Sequence, residues 1–191
     1  KKINKRYDYV VNLGGHVDHT NKKKTFSSHY IGCKNLVEIL SKNFPKVFLQ
    51  MGSSAEYGDQ KSPLVENVKC KPNSIYGKSK LLSTNYLLKI NKQKKFPAII
   101  FRLFQAYGPK QDINRIIPIA IEGCIKNKKF NCSSGVQLRD FVHIEDVIEA
   151  IFLSFNKKKA LGNIINIGSG KPKKIKEVIN RIKSYTKRGF P

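Results

Sequence analysis

"YDYVVNLGG", residues 7–15, is an apolar run that stops at a pair of glycines. A strand buried on both faces reads as a near-continuous apolar run, whereas a strand with one wet face alternates, so this stretch predicts a strand inside a parallel sheet. Further strands are read downstream at "KVFLQMG" (46–52), "PAIIFRLF" (97–104) and "NIINIG" (163–168), with a short strand at "QLRDFVHI" (137–144). Between them lie helical patterns. Residues 28–42 carry Ile31, Leu36, Val37, Ile39 and Leu40 at helical spacing, and further helices are expected over about 74–94, 113–127, 145–155 and 174–187. Strands alternating with helices make this an α/β chain with a doubly wound parallel sheet covered on both faces. No internal repeat or low-complexity tract interrupts the pattern.

Composition narrows the functional classes. A chain of 191 residues buries a real core and reads as one domain or most of one. No apolar run approaches the roughly 18 residues that span a bilayer. The start, "KKINKRYDYVVNLGGHVDH", is basic and then apolar like a secretion signal, but its apolar part is short and His16, Asp18 and His19 follow. Cys33, Cys70, Cys124 and Cys132 form no C-x-x-C pair, which points to reduced thiols, a cytoplasmic setting and no metal or disulfide framework. "HVDH" (16–19) invites a metal ion, but a loop after a strand is the expected setting. The net charge of +24 raises a nucleic-acid partner. Against it, only six of the 37 basic residues are arginine, the residue that dominates base and phosphate-fork recognition. The lysines fall in short runs between apolar segments, as solvated loops do.

Three Tyr-x-x-x-Lys pairs occur: Tyr30 with Lys34, Tyr57 with Lys61, and Tyr76 with Lys80. In a lysine-rich chain the spacing decides nothing, and context must. In doubly wound sheets ligands sit beyond the carboxyl ends of the strands. That rule gathers Gly14-Gly15, Ser53-Ser54 and the segment 105–108, and Tyr76 opens the helix that follows Ser53-Ser54. Tyr57 sits in a Tyr-Gly-Asp turn, and Tyr30 opens a helix remote from any polar loop. On a helix, Tyr76 and Lys80 share a face. A phenol is a poor base at neutrality, but an ammonium within about 4–6 Å favours the phenolate. Such a phenolate can take a proton from a hydroxyl while hydride leaves the same carbon, with a serine from residues 53–54 holding the oxygen.

Five motifs follow in order: "SSAEYG" (53–58), "YGKSK" (76–80), "RLFQAYGP" (102–109), "RDFVHIED" (139–146) and "NIGSG" (166–170). Together they resemble the extended short-chain dehydrogenase/reductases, the nucleotide-sugar epimerase/dehydratase family, over nearly the whole chain. The resemblance implies a Rossmann-type sheet, N-terminally truncated, over about 1–110 and 138–168, with part of a small substrate-binding subdomain over about 111–137 and 169–191. It implies Tyr76 as acid/base, Lys80 as its tuner and ribose ligand, and Ser53 as the catalytic hydroxyl, with Ser54 as the fallback. Leu13, Gly14, Gly15 and Leu103 would flank an NAD or NADP cofactor together with Tyr76 and Lys80. Ser54, Gln105 and Arg139 would meet a nucleotide-diphosphate sugar, Arg139 through its planar fork. For Arg139 the plainer reading is a surface salt bridge with Asp140. A homodimer is implied as well.

Departures from the family pattern matter equally. The glycine-rich phosphate loop that opens the family, and the residue that selects NAD or NADP, have no match, and the chain stops at "KRGFP" (187–191). These features suggest a fragment of a longer protein. His29 falls near the place of the family's relay asparagine, where a helix-surface histidine is the plainer reading. Ser54 and Ala55 stand where 4,6-dehydratases carry Asp and Glu, with Glu56 one position later. That favours epimerisation or 4-ketoreduction over dehydration. A basic nucleic-acid-binding module and an inert fragment are the rival readings.

Overall fold

The computed structural model describes residues 6–186. The first five residues of the signal-like start, the last residue of the helix expected over 174–187 and the "KRGFP" stretch lie outside them. The chain divides into two compact units, Lys1–Leu103 with Glu149–Ile167, and Phe104–Ile148 with Gly168–Pro191.

The first unit is built on a four-stranded parallel sheet. Strands β1 (Tyr9–Asn12), β2 (Val47–Ser53), β3 (Ala98–Leu103) and β7 (Ile164–Ile167) lie side by side in the order β1-β2-β3-β7. All seven residues of β2 are buried, as its apolar sequence requires of a central parallel strand. Ser53 pairs in register with Leu103, and Gly52 with Arg102. Cys33, Val37, Leu40, Phe48, Leu87, Phe96, Ala98 and Ile100 form the core beneath one face.

The helical region expected over 28–42 begins earlier. Helix α1 (Lys22–Phe26) runs through a π-helical turn (Ser27–Ile31) into α2 (Gly32–Leu40). Three lysines in the first turn concealed α1, although Asn21 caps it by accepting from the Lys24 amide at 3.0 Å. Helix α3 (Ile75–Lys94) starts at Ser74, whose hydroxyl accepts from the Gly77 amide at 3.0 Å. It ends where Lys95 turns left-handed, at φ 56°. Its buried face is Gly77, Ser79, Lys80, Ser83, Thr84 and Leu87, mostly small or polar side chains rather than an apolar stripe.

The second unit holds two short sheets. Strand β4 (Gln105–Tyr107) pairs in parallel with β6 (Phe141–His143), and β5 (Leu138–Arg139) pairs antiparallel with β8 (Lys173–Lys174). Helix α4 (Ile116–Lys126) and most of α6 (Ile175–Thr186) pack together there, while α5 (Ile144–Phe155) leaves this unit for the first. The single strand expected over 137–144 is therefore broken. Asp140 interrupts it, and its carboxylate accepts from the Ser169 amide and hydroxyl and from the Gly170 amide at 2.6–2.8 Å.

Candidate active site at the carboxyl ends of the parallel strands

Ser53 is the last residue of β2 and caps a 3-10 turn, Ser54–Glu56, that carries the chain off the sheet. Its hydroxyl accepts from the Ala55 amide at 3.1 Å, and its own amide donates to Glu56 Oε1 at 2.9 Å, a reciprocal capping box. Ser54 is the first residue of that turn, and its carbonyl accepts from the Tyr57 amide. Glu56 is wholly buried, and its Oε2 accepts from Thr84 Oγ1 at 2.9 Å and Arg102 Nε at 3.0 Å. A Cβ on Gly52 would lie 2.5 Å from Glu56 Oε1, so the bare glycine beside Arg102 makes room for this pair. The carboxylate that lay one position from the dehydratase acids is thus committed to a dry ion pair.

The three tyrosine–lysine pairs separate clearly. Tyr57 is fully buried, donates to Asn166 Oδ1 at 2.6 Å and lies under the Arg102 guanidinium at 4.5 Å. Burial pushes its phenol above the usual range. Tyr30 packs edge-on against Phe26 at 5.4 Å. Tyr76 stands in the first turn of α3, half-buried, with Lys80 Nζ 5.7 Å from its ring centroid. The start of α3 is pressed onto the turn after Ser53, since a Cβ on Gly77 would collide with the Ala55 carbonyl. Burial sets Tyr57 apart, Tyr30 and Tyr76 are both half-buried, and Tyr76 has its lysine 5.7 Å from the ring.

Lys80 is 5% exposed and donates to the Met51 carbonyl at 2.6 Å. Burial lowers its pKa, opposed by the nearby Glu56 charge. Met51 O also accepts from Gln50 Nε2 at 3.2 Å, and Gln50 Oε1 accepts from Asn12 Nδ2 at 2.7 Å. Asn12 in turn accepts from the Gly14 amide at 3.1 Å. A polar chain therefore links the loop after β1 to Lys80. Leu13, Gly14 and Gly15 lie exposed on that loop, and Leu103 closes β3 opposite Ser53.

Sequence reading placed His29 on a helix surface, and the structure corrects this: the side chain is 6% exposed within the π-helical turn. Its Nε2–H donates to the His16 carbonyl at 3.2 Å, and its Nδ1 is buried with no hydrogen-bond partner among the described residues. Burial first, and the Lys80 charge second, lower its pKa to about 4, so the ring is neutral. A Cβ on Gly15 would collide with this ring, which makes Gly15 the residue that lets the loop lie on the π turn. The Tyr76 ring stacks on His19 at 4.1 Å and meets His29 edge-on at 5.0 Å. Sequence reasoning missed both contacts, although two histidines ten residues apart on a loop–helix segment were the available signal.

Gln105 and Arg139 belong to the second unit. Both are exposed and line a pocket of about 290 Å³ with Asn131, Cys132, Ser133, Gln137, Ile116, Phe141 and Ile175. Arg139 Nη1 donates to the Leu138 carbonyl at 2.8 Å. The salt bridge weighed for Arg139 with Asp140 does not form among the described residues. No described helix is long and apolar enough to cross a membrane.

Known proteins resemble this chain in sequence and in fold. A putative UDP-glucose 4-epimerase of Methanocaldococcus jannaschii is 31% identical over 159 residues, 80% of this chain and 51% of the relative. A dTDP-D-glucose 4,6-dehydratase of Dictyostelium discoideum is 29% identical over 184 residues, 86% of this chain and 42% of the relative. The chain thus spans about half the length of the curated relatives it matches. The fold matches a UDP-glucuronic acid 4-epimerase from Bacillus cereus, solved with UDP-glucuronic acid and NAD, at a TM-score of 0.89 and 24% identity, over 95% of this chain and 60% of that one. The description of the NAD dependent epimerase/dehydratase family matches residues 1–168, and to that family the chain belongs.

Proposed function

We propose that the protein carrying this chain epimerises, or reduces at a keto carbon, the sugar of a nucleotide-diphosphate sugar, with Tyr76 as acid/base. The observation that carries the reading is the buried Lys80 ammonium, held by the Met51 carbonyl at 2.6 Å and lying 5.7 Å from the Tyr76 ring centroid, at the end of β2 where Ser53 closes the strand. An ammonium kept out of water acts on a neighbouring phenol more strongly than one in solvent. Tyr76 takes the proton of a sugar hydroxyl and returns it in the reverse step, while the Ser53 hydroxyl, already accepting from Ala55 N, holds the sugar oxygen by donating a hydrogen bond to it.

A nicotinamide cofactor, NAD or NADP, supplies the hydride acceptor when bound. The Gly14-Gly15 loop after β1 is exposed and would flank it, and Leu13, Leu103, Tyr76 and Lys80 would complete its surroundings. Gln105 and Arg139 would contact the diphosphate side of the substrate and Ser54 would contact the substrate beside Ser53, with residues 111–137 and 169–191 as the substrate-binding portion. Dehydration is disfavoured by the ion pair that occupies Glu56. A homodimer in the cytoplasm, with its four cysteines reduced, completes the reading.

The test is Tyr76→Phe in the full-length protein, assayed against UDP- and dTDP-sugars with NAD and NADP. Turnover is expected to fall by about 10²–10⁴-fold with the fold unchanged. Near-normal turnover in that variant overturns the assignment.

A further inference from the structure

Beyond the tyrosine–lysine pair, the Tyr76 ring has two imidazole neighbours that the proposed chemistry does not use. His19 lies parallel to it, with centroids 4.1 Å apart and 16° between the planes. His29 meets it at 5.0 Å and 78°. The two histidines also face each other at 6.0 Å and 67°, so the three rings form one cluster.

The His29 imidazole is braced, and His19 stands in a fixed turn. His29 holds the His16 carbonyl through Nε2, and its own carbonyl accepts from Ser83 Oγ at 2.8 Å, on the same helix that carries Tyr76. His19 follows Asp18, whose Oδ1 accepts from the Thr20 amide at 3.0 Å and the Thr20 hydroxyl at 2.6 Å, closing a tight turn. A face-on neighbour fixes the plane of a phenol ring and an edge-on neighbour blocks its swing, so the pair restricts both motions.

We propose that His19 and His29 clamp the Tyr76 ring in the orientation proton transfer needs, with His19 as the positioning residue contributed by the loop after β1. The clamp ties the acid/base to the Gly14-Gly15 loop, because His16, which His29 holds, follows Gly15 directly. This inference rests on Tyr76 being the acid/base. A reacting group displaced by about 1 Å loses roughly 10²-fold in rate, which is the scale of benefit such a clamp can supply.

His29 is buried, and its variants risk the fold, so the test uses His19→Ala and His19→Phe in the full-length protein. Ring-labelled tyrosine NMR, with Tyr76 assigned by Tyr76→Phe, reads the clamp directly. His19→Ala is expected to move the Tyr76 ring signals toward those of an unstacked tyrosine, and His19→Phe to keep them displaced. In turnover, His19→Ala is expected to lower kcat about 10- to 100-fold with little change in KM, and His19→Phe to recover most of the loss. Unchanged Tyr76 signals and kcat in His19→Ala overturn the clamp, as does a His19→Phe variant no better than His19→Ala. If the signals respond but Tyr76→Phe retains turnover, the acid/base assignment fails and with it the clamp's role in proton transfer.

Discussion

Arg102 Nε and Glu56 Oε2 meet at 3.0 Å, with side chains 3% and 0% exposed, directly behind the strand end that presents Ser53. A charge pair this dry is balanced only while both partners are present. Arg102→Met leaves the Glu56 carboxylate buried beside Thr84 without its cation. The expected loss is about 3–5 kcal/mol of unfolding free energy, read as a lower urea midpoint with the slope unchanged. Joint replacement of Glu56 and Arg102 by apolar residues of similar volume is expected to cost less than Arg102→Met alone.

Gly15→Ala sets a methyl group against the His29 ring. The expected cost is about 1–3 kcal/mol, typical of overpacking. His29→Ala removes the obstacle, so the double variant should lose less than the sum of the single losses, by about 1 kcal/mol in a double-mutant cycle.

The neutral His29 ring makes the fold acid-sensitive. Its folded pKa of about 4 lies below the ordinary value of 6.5, with Lys80, His16 and His19 as the charged or titratable groups acting on it. Below pH 6.5 the unfolded chain takes up a proton that the folded chain refuses, so stability falls with pH until the folded ring protonates near 4. The full effect is on the order of 3 kcal/mol. His29→Gln should flatten this part of the curve, measured as the wild-type minus variant difference in unfolding free energy at pH 7 and pH 4.5.

Tyr57→Phe strands the Asn166 side-chain oxygen that the phenol now serves at 2.6 Å. A loss of about 1–3 kcal/mol in thermal or urea unfolding is expected. Turnover at the remaining folded fraction should stay near wild type, which separates this tyrosine from Tyr76.

Much of the fold was legible because buried parallel strands advertise themselves. "YDYVVNL", "KVFLQMG", "PAIIFRLF" and "NIINIG" are mostly apolar runs, and all four contribute to one sheet. The stretch 137–144 also reads as a strand, but it mixes apolar with polar residues and forms two short strands instead of one. Asp140 takes a loop as its hydrogen-bonding partner, a choice that depends on Ser169 and Gly170 far along the chain. Helix α3 hides its buried face for a different reason: Ser79, Ser83 and Thr84 allow close approach and satisfy their hydroxyls on carbonyls or on Glu56. Arg102 inside "IIFRLF" was a readable sign that a buried anion had to lie nearby, but nothing local named Glu56.

What the sequence by itself determined is the alternation of buried strands and helices and the spacing that puts Tyr76 and Lys80 on one helical face, because both follow from local periodicity. Only the tertiary structure decided that Tyr57 is buried while Tyr76 stands with Lys80 5.7 Å from its ring, that Glu56 is sealed against Arg102, and that His19 and His29 bracket Tyr76. Those outcomes depend on burial and on partners distant in the chain, and neither is set by neighbouring residues alone.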